Sequence, residues 1–98
     1  MTDLELTRLA AEALGLATVP PPKGYENLII EAGTSIPYNP LRDDAQAMAL
    51  VKRFGLDIQR YDGWCVRKSD GHGGGEWYCE DDLNRAIVEY VSKMQAAK

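Results

Sequence analysis

LDIQRYDGWCVRK, residues 56–68, alternates apolar and polar side chains on both sides of an Asp62-Gly63 pair. A period of two is typical of a β-strand with one buried face, and Asp-Gly favours the two-residue type I′ turn of a hairpin. The sequence therefore predicts an antiparallel hairpin at this place. Its buried face would carry the side chains Leu56, Ile58, Trp64 and Val66.

Further elements are predicted on both sides of the hairpin. Before it, apolar residues at helical spacing follow the capping residue Asp43 and stop at Gly55, which predicts a helix. After it, a third short strand is predicted over 76–79, with either Trp77 and Cys79 or Tyr78 facing inward. A closing helix follows, because apolar residues recur every three or four positions over 83–94.

The N-terminal part is predicted to hold one helix and one long connection. The helix spans Asp3–Leu14, with Thr2 and Glu5 as a capping box and Gly15 as its stop. Residues 17–42 contain all five prolines and form the connection. Within it, 27–31 is predicted to be an edge strand or a segment laid over the core. Four apolar side chains are expected to be held by packing: Tyr25, Ile29, Ile36 and Tyr38.

These elements predict an α+β fold in the order α, loop, α, β, β, β, α, with helices packed on a three-stranded antiparallel sheet. The first helix would cover either the other sheet face or the helical layer. The 98 residues fit one domain, residues 1–98. The net charge of −4 disfavours binding to nucleic acid, and no apolar run is long enough to span a bilayer. We expect a soluble protein that is not exported.

The residues with reactive side chains do not assemble into a catalytic or metal site. Cys65 and Cys79 are expected to be reduced thiols, although neighbouring strands could bring them together as a cross-strand disulfide. His72 lies among glycines, and the cysteines lack the close spacing of zinc ligands. The glycines of residues 70–75 match neither phosphate-loop spacing. We therefore expect no catalytic residues, no metal and no cofactor, and the protein is not predicted to be an enzyme.

Acidic and aromatic residues cluster around the third predicted strand and the start of the last helix. Helix capping and solubility account for the acidic residues, but aromatic anchors beside an acidic patch also fit contact with a basic surface. We identify this patch as the candidate site for binding a partner. Its residues are Glu76, Trp77, Tyr78, Glu80, Asp81 and Asp82.

Several stretches resemble a family of small bacteriophage and prophage proteins, the phage α/β/α-sandwich domain. They are LTRLAAEALGL (6–16), YNPLRDDAQAMALVKRFGLDIQRYDGWCVRKSD (38–70) and EDDLNRAIVEYVSKM (80–94). The resemblance implies the fold and an origin in a phage genome, and it implies no activity or catalytic residue. The element order also resembles the double-stranded RNA-binding domain, but acidic residues stand where that domain carries phosphate-binding lysines.

The leading functional hypothesis is a non-catalytic, phage-encoded accessory protein that binds and modulates a host protein, such as a component of a defence system. It would act in the cytoplasm of the bacterial host. The alternative is a protein that binds or sequesters a small ligand such as a nucleotide, with Tyr25, Tyr38 and Trp64 as stacking surfaces. A homodimer through a sheet edge or the first helix is a third hypothesis.

Overall fold

Three helices and six strands make up the fold in a computed structural model, which describes residues 2–19, 23–24, 28–33, 36–68 and 76–97. The α+β class is confirmed, whereas the predicted element order is confirmed only in part. The helices are α1 (Asp3–Leu14), α2 (Asp44–Phe54) and α3 (Leu83–Ala96). The strands are β1 (Thr18–Val19), β2 (Ile29–Glu31), β3 (Pro37–Tyr38), β4 (Leu56–Arg60), β5 (Trp64–Lys68) and β6 (Tyr78–Glu80).

The strands form two antiparallel sheets, so the prediction of a single three-stranded sheet is wrong. One sheet has the predicted order β4-β5-β6, and the other has the order β1-β2-β3. The second sheet lies within the proline-rich segment 17–42, where β2 is the middle strand and not an edge. Pairing gives the backbone amides and carbonyls of this segment hydrogen-bond partners, which a buried connection would lack.

The hairpin between β4 and β5 has a three-residue loop, which corrects the predicted two-residue turn. Arg60 is paired with Trp64, so residues 61–63 form the loop. Asp62 and Gly63 both have positive φ, and a Cβ at Gly63 would lie 2.9 Å from the carbonyl oxygen of Glu80. A one-residue change in register would move every side chain to the other face. The extra loop residue therefore keeps the apolar residues of both strands on one face.

The three helices run parallel, with their N-terminal ends together. At that end the Arg85 guanidinium contacts Asp3 at 3.1 Å, and the Asn84 amide donates to Asp44 at 2.8 Å. At the other end, Ala13, Phe54 and Met94 line one cavity. Parallel helices place the positive ends of their dipoles side by side, and acidic side chains in the first turns and caps offset that charge.

The core lies where α3 packs against α1, α2, β5 and β6. Ile87 is fully buried there, and the Ser92 hydroxyl donates to the carbonyl oxygen of Leu6 at 2.8 Å. The first helix therefore covers the helical layer, which was one of the two predicted alternatives. In the second sheet, Tyr38 is buried and Ile29 packs on the core, as predicted. Ile36 is 53% exposed, which contradicts the prediction, and Tyr25 lies outside the described residues.

Candidate functional site

The predicted partner-binding patch is divided between the two faces of the β4-β5-β6 sheet. Tyr78 is paired with the buried Val66 and packs against the helices. Trp77 and Cys79 line a cleft on the opposite face. This resolves the alternative that the sequence left open, because Tyr78 and not Trp77 faces inward. The six predicted residues therefore do not form one continuous surface.

Tyr78 and Glu80 are held by contacts within the protein. The Tyr78 hydroxyl is within hydrogen-bond reach of a Glu80 carboxylate oxygen at 3.0 Å and of Glu89, so two carboxylates compete for one phenol proton. The Lys93 ammonium lies 4.1 Å from the centre of the Tyr78 ring. Arg85 pairs with Glu89 at 2.8 Å. The contacts of Tyr78 with Glu89 and Lys93 fasten β6 to α3, and the Tyr78 hydroxyl is engaged inside the protein.

Glu76, Asp81 and Asp82 are exposed. Asp81 and Asp82 form the acidic corner at the β6–α3 junction, whereas Glu76 precedes β6 at the other end of the strand. Asp82 is the N-cap of α3, where its carboxylate accepts a hydrogen bond from the Arg85 amide at 2.9 Å. The Asp82 side chain therefore has a structural role in addition to its charge. Glu76 and Asp81 carry the part of the predicted acidic patch that is open to a partner.

The capping role predicts a difference between two adjacent aspartates. Asp82→Ala should lower the free energy of unfolding by about 1 kcal/mol, because an amide of the first α3 turn loses its acceptor. Asp81→Ala removes an equal charge without removing the cap and should change stability by less than about 0.5 kcal/mol. Urea unfolding of the two variants measures the difference. Equal losses would show that the cap contributes no more than the charge.

The outer face of the β4-β5-β6 sheet is the face opposite the helices. A cleft of about 260 Å³ on this face is lined by Gln59, Tyr61, Cys65, Trp77 and Cys79. Tyr61 is 72% exposed and Trp77 is half-buried. Among the described residues, no helix or strand packs on this face. The outer face thus exposes aromatic side chains beside an apolar cleft, a composition enriched in protein interfaces.

A disulfide joins Cys65 and Cys79 at the base of this cleft. The expectation of reduced thiols is therefore wrong for this structure. The two residues are direct cross-strand partners in the β5–β6 pairing, and their Cα atoms are 4.0 Å apart. Because both sulfur atoms are bonded, neither cysteine presents a thiolate as a nucleophile or metal ligand in this state.

An arginine lies over the tryptophan of the outer face. The Arg67 guanidinium is 4.3 Å from the centre of the Trp77 ring and 3.6 Å from the Asp57 carboxylate. A cation over an aromatic ring is attracted by the ring quadrupole, which restricts the indole to one position. Arg67 was predicted to lie at a strand end or on the solvent-facing side of the hairpin, whereas sequence reasoning missed Tyr61 as part of this face. The signal was the alternation of β4 and β5, which places Asp57, Gln59, Cys65 and Arg67 together.

A second candidate site lies beneath the proline-rich segment. A cavity of about 180 Å³ is lined there by the first turns of α1, by Leu28 and Ile29, and by Tyr38, Asn39, Leu41 and Arg42. Tyr38 is 5% exposed, and its hydroxyl has no hydrogen-bond partner among the described residues. Burial, with a smaller contribution from the Glu31 carboxylate, raises the pKa of Tyr38 to about 12. The phenol is therefore protonated at neutral pH.

The raised pKa predicts a loss of stability in alkali. An unfolded tyrosine has a pKa of about 10, so the contribution of neutral Tyr38 is complete below pH 10 and is lost as the pH rises to 12. The free energy of unfolding of the wild type should fall over this interval by roughly 2–3 kcal/mol more than that of Tyr38→Phe. Urea unfolding at stepped pH measures both. Parallel pH curves for the two proteins would contradict the prediction.

The residues considered for nucleotide stacking are not brought together. Tyr38 is in the β1-β2-β3 sheet, whereas Trp64 is in the β4-β5-β6 sheet with the Arg60 guanidinium 4.9 Å from its ring centre. Tyr25 and His72 lie outside the described residues, as does the glycine-rich segment 70–75. In the described part of the chain, no helix is long and apolar enough to cross a membrane.

No family model matches the chain, and searches of curated proteins and of solved structures found no similar protein. The resemblance to the phage family therefore stays a prediction from sequence features. The function has to be argued from the geometry of the sites themselves.

Proposed function

We propose that this chain is a non-catalytic binding protein that holds a partner protein on the outer face of its β4-β5-β6 sheet. The observation that carries the proposal is the pair of aromatic side chains, Tyr61 and Trp77, beside the 260 Å³ cleft on a face that no described element covers. Tryptophan and tyrosine supply much of the affinity of protein interfaces, because they bury a large area with few rotatable bonds.

The charge around this face indicates the chemistry of the partner. Glu76 and Asp81 are exposed near the two ends of β6, next to Trp77 and Glu80 respectively, and the chain has a net charge of −4. The Arg67 charge is offset locally by Asp57. A partner with an apolar side chain for the cleft and basic residues for the acidic corner fits both features. Complementary charge at the rim raises the association rate and favours basic surfaces over acidic ones.

The resemblance to the phage family extends this proposal to the biological setting. The protein would be a phage-encoded accessory protein in the cytoplasm of the bacterial host, where it binds and modulates a host protein such as a component of a defence system. The glutathione pool of that compartment keeps most thiols reduced. The redox state of the Cys65–Cys79 pair in cells, measured by thiol alkylation and mass spectrometry, therefore tests the assignment to this compartment.

The experiment is affinity capture from bacterial lysate, followed by binding measurements with each purified candidate. Trp77→Ala should weaken binding at least about 30-fold, the effect of losing a hot-spot residue. The double change Glu76→Lys/Asp81→Lys should slow association and reduce its salt dependence. It leaves the α3 cap at Asp82 intact. Matched controls are Ile36→Ala and Glu12→Lys, which alter exposed apolar and acidic residues away from the outer face.

Two results would refute the assignment of this surface. One is a partner whose affinity is unchanged by Trp77→Ala and by the charge-reversal variant. The other is repeated failure to retain any protein under conditions in which the folded wild type is intact. Sedimentation of the isolated protein tests the remaining hypothesis of a homodimer, for which a partner would be a second copy of the chain.

Nucleotide binding remains the alternative function, and the cavity at Tyr38 is the observation that bears on it. Its volume of about 180 Å³ is below the 300–1,000 Å³ of typical pockets for drug-sized ligands. A thermal-shift screen against nucleotides tests the alternative, since a ligand at 100 times its Kd stabilises by about 2.7 kcal/mol. The size of the cavity favours a smaller ligand.

A further inference from the structure

The polar groups that line the cavity at Tyr38 differ in whether they already have hydrogen-bond partners. Two acceptors of Asp3 are engaged: a carboxylate oxygen pairs with Arg85 at 3.1 Å, and the carbonyl accepts from the Thr7 hydroxyl at 2.8 Å. Two residues that line the cavity carry hydrogen-bond or ion-pair donors without such a partner. The Tyr38 hydroxyl has no partner, and the Arg42 guanidinium forms no ion pair with a described residue.

The first turn of α1 adds to this surplus of donors. The leading amides of a helix have no acceptor within the helix. Thr2 accepts from the amides of Glu5 and Leu6, which leaves those of Asp3 and Leu4 without a partner in the described part of the chain. Both of these residues line the cavity. The positive end of the α1 dipole acts in the same direction, so the cavity favours an anion.

The remaining lining indicates which anion. Four apolar side chains border the cavity: Leu4, Leu28, Ile29 and Leu41. An inorganic ion would leave this apolar surface in contact with water, whereas a short hydrocarbon chain would remove it from water, which is favourable. A carboxylate also matches the planar guanidinium of Arg42, which can donate two parallel hydrogen bonds to it. A volume of about 180 Å³ is below that of pockets for drug-sized ligands, which indicates a small ligand.

We propose that this cavity is a binding site for a small aliphatic monocarboxylate, with Arg42 and the Tyr38 hydroxyl as its carboxylate partners. The site shares no residue with the outer-face cleft, so it is independent of the proposed protein-binding function. A bound carboxylate would also supply the acceptor that the buried Tyr38 hydroxyl lacks.

The test is a titration of the isotopically labelled protein with sodium propionate at constant ionic strength, followed by amide NMR shifts. Inorganic phosphate and propylammonium are the comparison probes, since they lack the hydrocarbon chain and the negative charge respectively. We expect saturable shifts at the amides of Leu4, Asn39 and Arg42. Arg42→Gln should weaken propionate binding at least about tenfold, or 1.4 kcal/mol. Tyr38→Phe should weaken it less, and it retains the fold because it deletes only an unpaired hydroxyl.

The matched control is Arg8→Gln, which removes an exposed arginine from α1 outside the cavity lining. It should leave the propionate affinity unchanged. The proposal is overturned by the absence of saturable shifts, or by equal affinity in the wild type and Arg42→Gln. It is also overturned if phosphate or propylammonium binds the same amides as tightly as propionate does. Loss of partner binding by Trp77→Ala would have no bearing on this result.

Discussion

Replacing Ile87 with alanine is expected to lower the free energy of unfolding by about 2–5 kcal/mol. Ile87 is fully buried in α3, the helix that packs against α1, α2, β5 and β6. Truncation would leave a cavity at the meeting point of these elements, and the surrounding backbone cannot close it without moving a helix or a strand. The loss of dispersion contacts therefore adds to the lost burial of apolar surface.

Urea unfolding of the variant measures this effect against a matched control. Ile36→Ala deletes the same atoms from a side chain that is 53% exposed and lies just before β3. It should cost less than about 1 kcal/mol, because much of that surface is already in water. If the two variants lose equal stability, α3 is not the centre of the core. A loss at Ile87 of several kcal/mol beside a small loss at Ile36 supports the packing described above.

The helices could be predicted because each carries a long periodic pattern and a local stop signal. Thr2 and Gly15 bound α1 as predicted, and Asp43 and Gly55 bound α2. Such signals act within a few residues along the chain, so they can be read from one sequence. The second sheet carries no such signal. Its strands have two or three residues, which is too few for an alternation of apolar and polar side chains to identify them.

The candidate site was harder to predict than the helices for a related reason. Trp77, Tyr78 and Cys79 are all apolar enough to be buried, so the alternation that orients a strand is absent from β6. The hairpin shows the same limitation. Asp62-Gly63 marks the turn, but the loop length of three residues emerges only from the pairing of Arg60 with Trp64. Orientation and register were thus the properties that the sequence could not determine.

The disulfide depends on register as well, and its removal is the second large expected effect. Cys65 and Cys79 are 14 residues apart, and Cys65 is opposite Cys79 only when β5 and β6 adopt the observed pairing. Closing a loop of about 15 residues restricts the unfolded chain and stabilises the folded state by about 3 kcal/mol. The enclosed segment is rich in glycine, which has the largest backbone freedom when the chain is unfolded.

We expect the double variant Cys65→Ala/Cys79→Ser to lose about 3 kcal/mol of unfolding free energy. Alanine suits the buried Cys65 position because serine would bury a hydroxyl there, and serine suits the exposed Cys79 position. Addition of a dithiol reductant should destabilise the wild type by a similar amount and leave the double variant unaffected. A thiol assay should find no free thiol in the oxidised protein and two in the reduced one.

The same substitution tests the connection between the disulfide and the outer face. Without the bond, β6 is attached to β5 by only three residue pairs, from Trp64–Glu80 to Val66–Tyr78. The Tyr78 contacts with Glu89 and Lys93 still hold β6 against α3, so the strand should remain in place while the adjoining Trp77 becomes less restricted. Partner affinity should therefore fall on reduction even at temperatures where the protein stays folded. Identical partner affinity and identical stability in the oxidised and reduced states would show that the bond supports neither the fold nor the binding face.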